Sequence, residues 1–137
     1  MSDKKPHTEL GKSMEDYLET ILKLSYELPA VRSVNIADSL AFSRASVSAA
    51  MKKLLEDGYI HKSWEGYITL TEKGQAIAED IYARHRFFAE NLKEIGIDPQ
   101  TAESEACRIE HAISKETFQK LLEANQNLKK EKPDKEN

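Results

Sequence analysis

Cysteine is almost missing from this sequence. Cys107 is the single thiol among 137 residues, which excludes an internal disulfide and makes a reducing cytoplasm the natural setting. Long apolar runs are missing too. No stretch approaches the ~18 residues of a membrane span, and the polar start "MSDKKPHTELGKS" does not resemble a signal peptide. No membrane partner is expected. There is no P-loop, GxGxxG, GxSxG or HExxH motif, so nothing marks an enzyme. Internal repeats are absent, and the tail "KKEKPDKEN" is the only segment of biased composition.

Positive charge is also short, with a net charge of −4. That total argues against a nucleic-acid binder until it is resolved along the chain. Residues 1–31 carry a net −2, residues 32–64 a net +2, and residues 65–137 a net −4. An acidic body with one basic module points to a local anionic partner. The length suits one domain, or two small ones sharing a core. Hydrophobic residues at 39% and charged ones at 32% suit a helix-rich globular chain.

Met14, Tyr17, Leu18, Ile21, Leu22, Leu24 and Leu28 recur at helical spacing, with Ser13 as the expected cap and Pro29 as the stop. Asp16 and Glu19 share a face of this helix. Alone, they read as an acidic first turn favoured by the helix dipole. "SVNIADSL" predicts a short helix over Val34 to Leu40. A two-residue turn and a longer helix follow, capped by Ser43 and stopped by Gly58, with Val47, Met51, Leu54 and Leu55 as its buried stripe. This is the helix-turn-helix pattern.

The outer face of that second helix carries Ser43, Arg44, Ala45, Ser46, Ser48, Ala49 and Ala50, with Lys52 and Lys53 near its middle. Small side chains permit close approach to a groove, Ser and Arg can bond base edges, and Lys neutralises phosphate. A solvated helix is the bland alternative, and the context favours DNA. "YIHKS" and "YITLT", joined by "WEG", predict a hairpin that would form a wing beside the helix. His61, Lys62 and Trp64 lie where a wing meets phosphate. A long helix is expected from about Thr71 to Glu94. Ile77, Ile81, His85, Phe88, Leu92 and Ile95 share one stripe, and Gly74 suggests an irregular first turn. Asp98-Pro99 opens the next helix, and Ser114 caps a last one through about Asn127.

In "EACRIEH", helical spacing puts Cys107, Glu110 and His111 on one stripe. All three are metal-ligand types. A small buried thiol beside an ordinary acidic surface explains the same residues.

The order "MEDYLETI", helix-turn-helix, wing, "LTEKG", "RH" and "EACRIEH" resembles the diphtheria toxin repressor family of iron- and manganese-dependent transcription regulators. The resemblance runs from about Ser13 to Leu122. It implies a mainly α protein: a winged helix-turn-helix over 13–73 and a helical metal-binding and dimerisation domain over 74–127. A flexible arm (1–12) and a disordered tail (128–137) would flank them. Carried over by position, the metal ligands would be Asp16, Glu19, His85, Cys107, Glu110 and His111. Ser43, Arg44, Ala45, Ser46, Ser48, Lys52, Lys53 and Lys62 would meet DNA.

The sequence departs from both branches of the family. Manganese-type members resemble it at Asp16 but have a carboxylate where Cys107 stands. Iron-type members have the cysteine, but a methionine at the position of Asp16. Ala89 and Glu103 stand where an ancillary iron-type site would have Glu and His. No SH3-like domain is expected. The implied function is a metal-dependent repressor whose homodimer binds an inverted-repeat operator of metal-homeostasis genes. Fe²⁺ is the expected activator and Mn²⁺ a close second, with Co²⁺, Ni²⁺ or Zn²⁺ substituting in vitro. The competing reading is a metal-independent winged-helix regulator of the multiple-antibiotic-resistance type, with Cys107 as redox sensor. It leaves the two carboxylates and two histidines unexplained.

Overall fold

A computed structural model describes residues 10–131. The first helix, α1 (Lys12–Glu27), opens one residue earlier than the sequence suggests. Gly11, at φ 88°, is its N-cap instead of Ser13, and no side chain caps it. Lys12 thereby belongs to the helix rather than to an arm. The helix ends at Leu28, which is extended, as the residue before a proline prefers to be.

Helices α2 (Ser33–Leu40) and α3 (Arg44–Glu56) form the helix-turn-helix. Ala41 turns the chain at φ 59°, and the Ser43 hydroxyl accepts from Ser46 N at 3.1 Å. Val47, Ala50, Met51 and Leu54 face the core. Leu55 does not: it is 43% exposed, and Ala50 takes the inward position.

Strands β1 (Ile60–Lys62) and β2 (Ile68–Leu70) form the wing, antiparallel, with Ile60 opposite Leu70. Ile60 and Ile68 are buried, which fixes the register, since a one-residue slip would expose both. Ile68 N donates to Val31 O at 2.8 Å. Arg32 reaches over the wing loop, donating to Glu65 O at 2.9 Å, with its guanidinium 4.5 Å from the Tyr67 ring centre.

Thr71 caps α4 (Glu72–Glu94) by accepting from Gly74 N at 3.1 Å. The first turn is helical, contrary to the expected irregularity. Gly74 serves packing instead, because a Cβ there would strike the Tyr59 carbonyl. The buried face of α4 includes Gly74, Ala78, Ile81, His85 and Ala89. Ile95 is 74% exposed and does not belong to it. Helix α5 (Pro99–Ile109) is capped by Asp98. Its buried residues are Ala102 and Ala106, and small side chains let it lie close to α4. Ser114 accepts from Thr117 N at 3.0 Å and opens α6 (Lys115–Glu131). Phe118 anchors α6 against Phe87, with ring centres 5.6 Å apart. The last helix thus passes both the expected Asn127 end and the expected tail boundary at 128. The rest of that tail, 132–137, and residues 1–9 of the expected arm lie outside the described residues.

The main core lies between α1, α2, α3, the wing and the start of α4, around Leu18, Ile21, Leu22, Ile36 and Val47. Helix α1 packs on this core and also along α4. No described helix is long and apolar enough to cross a membrane.

Candidate metal centre

Three helices bring donors together where α1 crosses α4 and the end of α5. Helix α1 contributes Asp16 and Glu19, and α4 contributes His85. Cys107 sits on the last turn of α5. Glu110 and His111 were expected on that helix, but α5 stops at Ile109; Glu110 is its C-cap, still with αR backbone. Beyond that end lies Arg84, buried completely, whose Nη1 donates to Glu110 O at 3.4 Å and Ile113 O at 2.7 Å. Those bonds satisfy carbonyls that a continuing helix would have used.

Two groups of potential ligands result, His85–Cys107–Glu110 and Asp16–Glu110–His111. The donor atoms within each lie within 4.8 Å of one another. Glu110 belongs to both. Its Oε1 lies 2.8 Å from His85 Nδ1, and its Oε2 lies 3.1 Å from His111 Nε2. Asp16 Oδ1 is 2.8 Å from the same His111 nitrogen. Glu19 is in neither trio, but its carboxylate is buried against Glu110. Five of the six residues named from the sequence thus fall in the two trios, and Glu19 lies beside them against Glu110.

The charges explain what holds the cluster closed. His111 is raised to about 11: burial works against its charge, but Asp16, Glu110 and Glu15 outweigh it. His85 is raised to about 11 by hydrogen bonds to Cys107 and Glu110, against the effect of burial. Burial, followed by the neighbouring Glu110, pushes the Glu19 carboxyl up. Burial also acts to raise Glu110, but its bonds to His111 and His85 prevail and hold it down. Two imidazolium rings thus neutralise a packed set of carboxylates.

That neutralisation leaves gaps. Oε2 of Glu19, 3.6 Å from Lys23 Nζ, and Oε2 of Glu110, 3.1 Å from His111 Nε2, are buried with only these ion-pair contacts and no well-aligned hydrogen bond. Burying charged oxygens in this way is costly. A divalent cation at either trio would take up a Glu110 oxygen, so the residues present fit one.

Sequence reasoning missed Glu15. It is 3% exposed, and its Oε1 lies 2.8 Å from His111 Nδ1. Its signal was available, because Glu15 falls on the same buried helical stripe as Leu18 and Leu22. Glu103 also reaches the cluster, 2.7 Å from His85 Nε2.

The residues expected to meet DNA lie on α3, its cap and β1, elements that carry none of the cluster residues. Ser43, Arg44, Ala45, Ser46, Ser48, Lys52, Lys53 and Lys62 are all exposed. Ser48, Met51, Lys52, Leu55 and Lys62 line a cleft of about 280 Å³ between α3 and the wing. Lys53 pairs with Asp57 at 3.1 Å, which reduces its charge available to a partner. The Ser43 hydroxyl is engaged as the α3 cap.

Residues 9–67 match the iron-dependent repressor N-terminal DNA-binding domain, and residues 71–136 the iron-dependent repressor metal-binding and dimerisation domain. The chain belongs to the iron-dependent repressor family. An uncharacterised helix-turn-helix-type transcriptional regulator of Methanocaldococcus jannaschii is 37% identical over 116 residues, covering 82% of this chain and 91% of that one. The transcriptional regulator MntR of Salmonella typhimurium is 32% identical over 110 residues, covering 80% and 69%. Among solved structures, IdeR of T. acidophilum superposes with a TM-score of 0.70 at 29% identity, covering 92% of this chain and 56% of that one. The family domains meet between residues 67 and 71, at the end of the wing. The cluster is therefore built across the domain boundary.

Proposed function

We propose that this iron-dependent repressor family member is a homodimeric repressor whose binding to an inverted-repeat operator requires a divalent metal. The observation that carries the reading is the pair of donor trios that share the buried Glu110, with Asp16 from one domain and His85, Cys107, Glu110 and His111 from the other. Asp16 and Glu19 from α1, His85 from α4, and Cys107, Glu110 and His111 from the end of α5 are the residues that would hold the ion. Bound there, it would supply positive charge in place of the protons these residues carry, and α1 would be tied to α4 and α5. Helix α1 packs against α2 and α3, so fixing it also fixes the helix presented to DNA. In a dimer, that sets the spacing of two recognition helices against two half-sites.

Fluorescence anisotropy on a labelled inverted repeat tests the proposal. Binding is expected with Fe²⁺ under anaerobic conditions or with Mn²⁺, and loss in chelator. Binding that persists in chelator and is lost on peroxide treatment would favour the redox-sensing reading instead. Fe²⁺ is proposed as the activator because the Cys107 thiolate favours softer ions than a carboxylate does. Cys107→Glu should move the half-point toward Mn²⁺. A wild-type response to Mn²⁺ at lower concentration than to Fe²⁺ would overturn the iron assignment.

On the DNA side, Lys52→Ala should weaken all sequences about equally and reduce the salt slope by about one. Arg44→Ala and Ser46→Ala should instead change which sequence is preferred. A change of preference in Lys52→Ala would invert this division of labour.

Metal affinity should rise with pH. His85 and His111, both raised to about 11, carry protons at neutral pH, and each ring must release one before a nitrogen can coordinate. Affinity should gain at least about two powers of ten per pH unit between pH 6 and 8, with at least about two protons released per cluster filled, one from each ring, and more where Glu19 and the Cys107 thiol also release theirs. Calorimetry in buffers of different ionisation enthalpy counts those protons. A count near zero would contradict the protonated cluster.

A further inference from the structure

Each histidine of the cluster has one ring nitrogen on the ligand trios and the other on a carboxylate outside them. His111 turns Nε2 toward Asp16 and Glu110, while its Nδ1 lies 2.8 Å from Glu15 Oε1. His85 is presented the other way round. Its Nδ1 faces Glu110, and its Nε2 lies 2.7 Å from Glu103 Oε1. The outer carboxylates differ in setting. Glu15 is 3% exposed on α1, whereas the Glu103 side chain is 50% exposed and its other oxygen takes the Lys93 ammonium at 2.7 Å.

A neutral imidazole has one protonated nitrogen and one lone pair. A carboxylate beside one nitrogen keeps the proton there, fixes the ring plane and leaves the lone pair on the opposite side. We propose that Glu15 and Glu103 are positioning residues that select the coordinating nitrogen: Nε2 of His111 and Nδ1 of His85. This rests on the metal reading above and adds to it which atoms coordinate and what aims them. Glu15 is the stronger of the two. It is shielded from water, and it ties His111 to α1, the helix that also carries Asp16 and Glu19. Glu103 shares its charge with Lys93 and solvent, so its hold on His85 is weaker.

Zn²⁺ is a suitable probe because it is diamagnetic. Long-range ¹H–¹⁵N spectra of the ¹⁵N-histidine-labelled, Zn²⁺-loaded full chain should show His111 coordinated through Nε2 and His85 through Nδ1. The other nitrogen of each ring should be protonated. Glu15→Ala should weaken Zn²⁺ binding about 10–100-fold in chelator competition and release His111 from its single form. Glu15→Gln keeps an acceptor oxygen and should recover the Nε2-bound spectrum. Glu103→Ala should cost less than Glu15→Ala. If Glu15→Ala fails to fold, the wild-type and Glu15→Gln spectra decide the matter. Coordination of His111 through Nδ1, or wild-type affinity in Glu15→Ala, would overturn this inference alone. A wild-type protein that holds no Zn²⁺ at these histidines would overturn the metal reading with it.

Discussion

Glu110→Ala is expected to abolish metal-dependent DNA binding. Glu110 is the one residue common to both ligand trios, so its loss leaves each with two donors. It is completely buried, and water cannot readily take its place. The loss of metal affinity should exceed the roughly 10–100-fold typical of removing a partner outside the ligand set. Far-UV circular dichroism of the metal-free variant should still match the metal-free wild type. The core around Leu18, Ile21 and Ile36 does not include this residue, and His85 and His111 keep carboxylate partners in Glu103, Glu15 and Asp16. Metal titration by calorimetry and anisotropy on operator DNA check the two halves separately. A variant that still binds DNA in response to metal, at wild-type concentrations, would remove Glu110 from the centre.

The largest effect on stability should come from Gly74→Ala. Helix propensity alone predicts a gain of about 1 kcal/mol for this change. The close approach of the chain predicts the reverse, because the added Cβ would meet the Tyr59 carbonyl. That carbonyl is backbone and is held in place. It accepts from Thr71 N at 3.1 Å, and Tyr59 N donates to Leu54 O at 2.9 Å. Relief therefore requires moving the wing or the start of α4. A net destabilisation of about 2–4 kcal/mol is expected, read as a lower urea midpoint at unchanged slope. A neutral or stabilised variant would mean that the junction gives way easily.

Much of the fold could be read from local chemistry. Ser43, Thr71, Asp98 and Ser114 each cap the helix expected behind them, because a cap is decided within three residues of itself. The wing was legible for a similar reason, through Gly66 in a turn that needs positive φ. What failed depended on distant partners. Nothing between Ile109 and Ser114 breaks a helix in the sequence, yet α5 ends at Ile109, and Arg84 from another helix takes the Glu110 and Ile113 carbonyls just beyond it. Leu55 and Ile95 are apolar at helical spacing yet exposed, since periodicity identifies a face without identifying what covers it. The candidate ligands were visible singly as residue types, and their assembly came from the family resemblance. Glu15 escaped because an acid beside Asp16 looked like more of the same acidic turn.

Helix α1 has a further consequence. It carries Asp16 and Glu19 and packs in the same body as the DNA-reading helices, so on the proposed function the two binding events share one rigid part. Coupling of this kind runs in both directions and by the same factor. If the filled cluster favours the operator, the operator must favour the filled cluster, and protein seated on DNA retains its ion at free-metal concentrations that empty the unbound dimer. The threshold at which the genes are released then depends on the operator sequence as well as on the ligands. A stronger operator would be one that stays silent deeper into metal starvation.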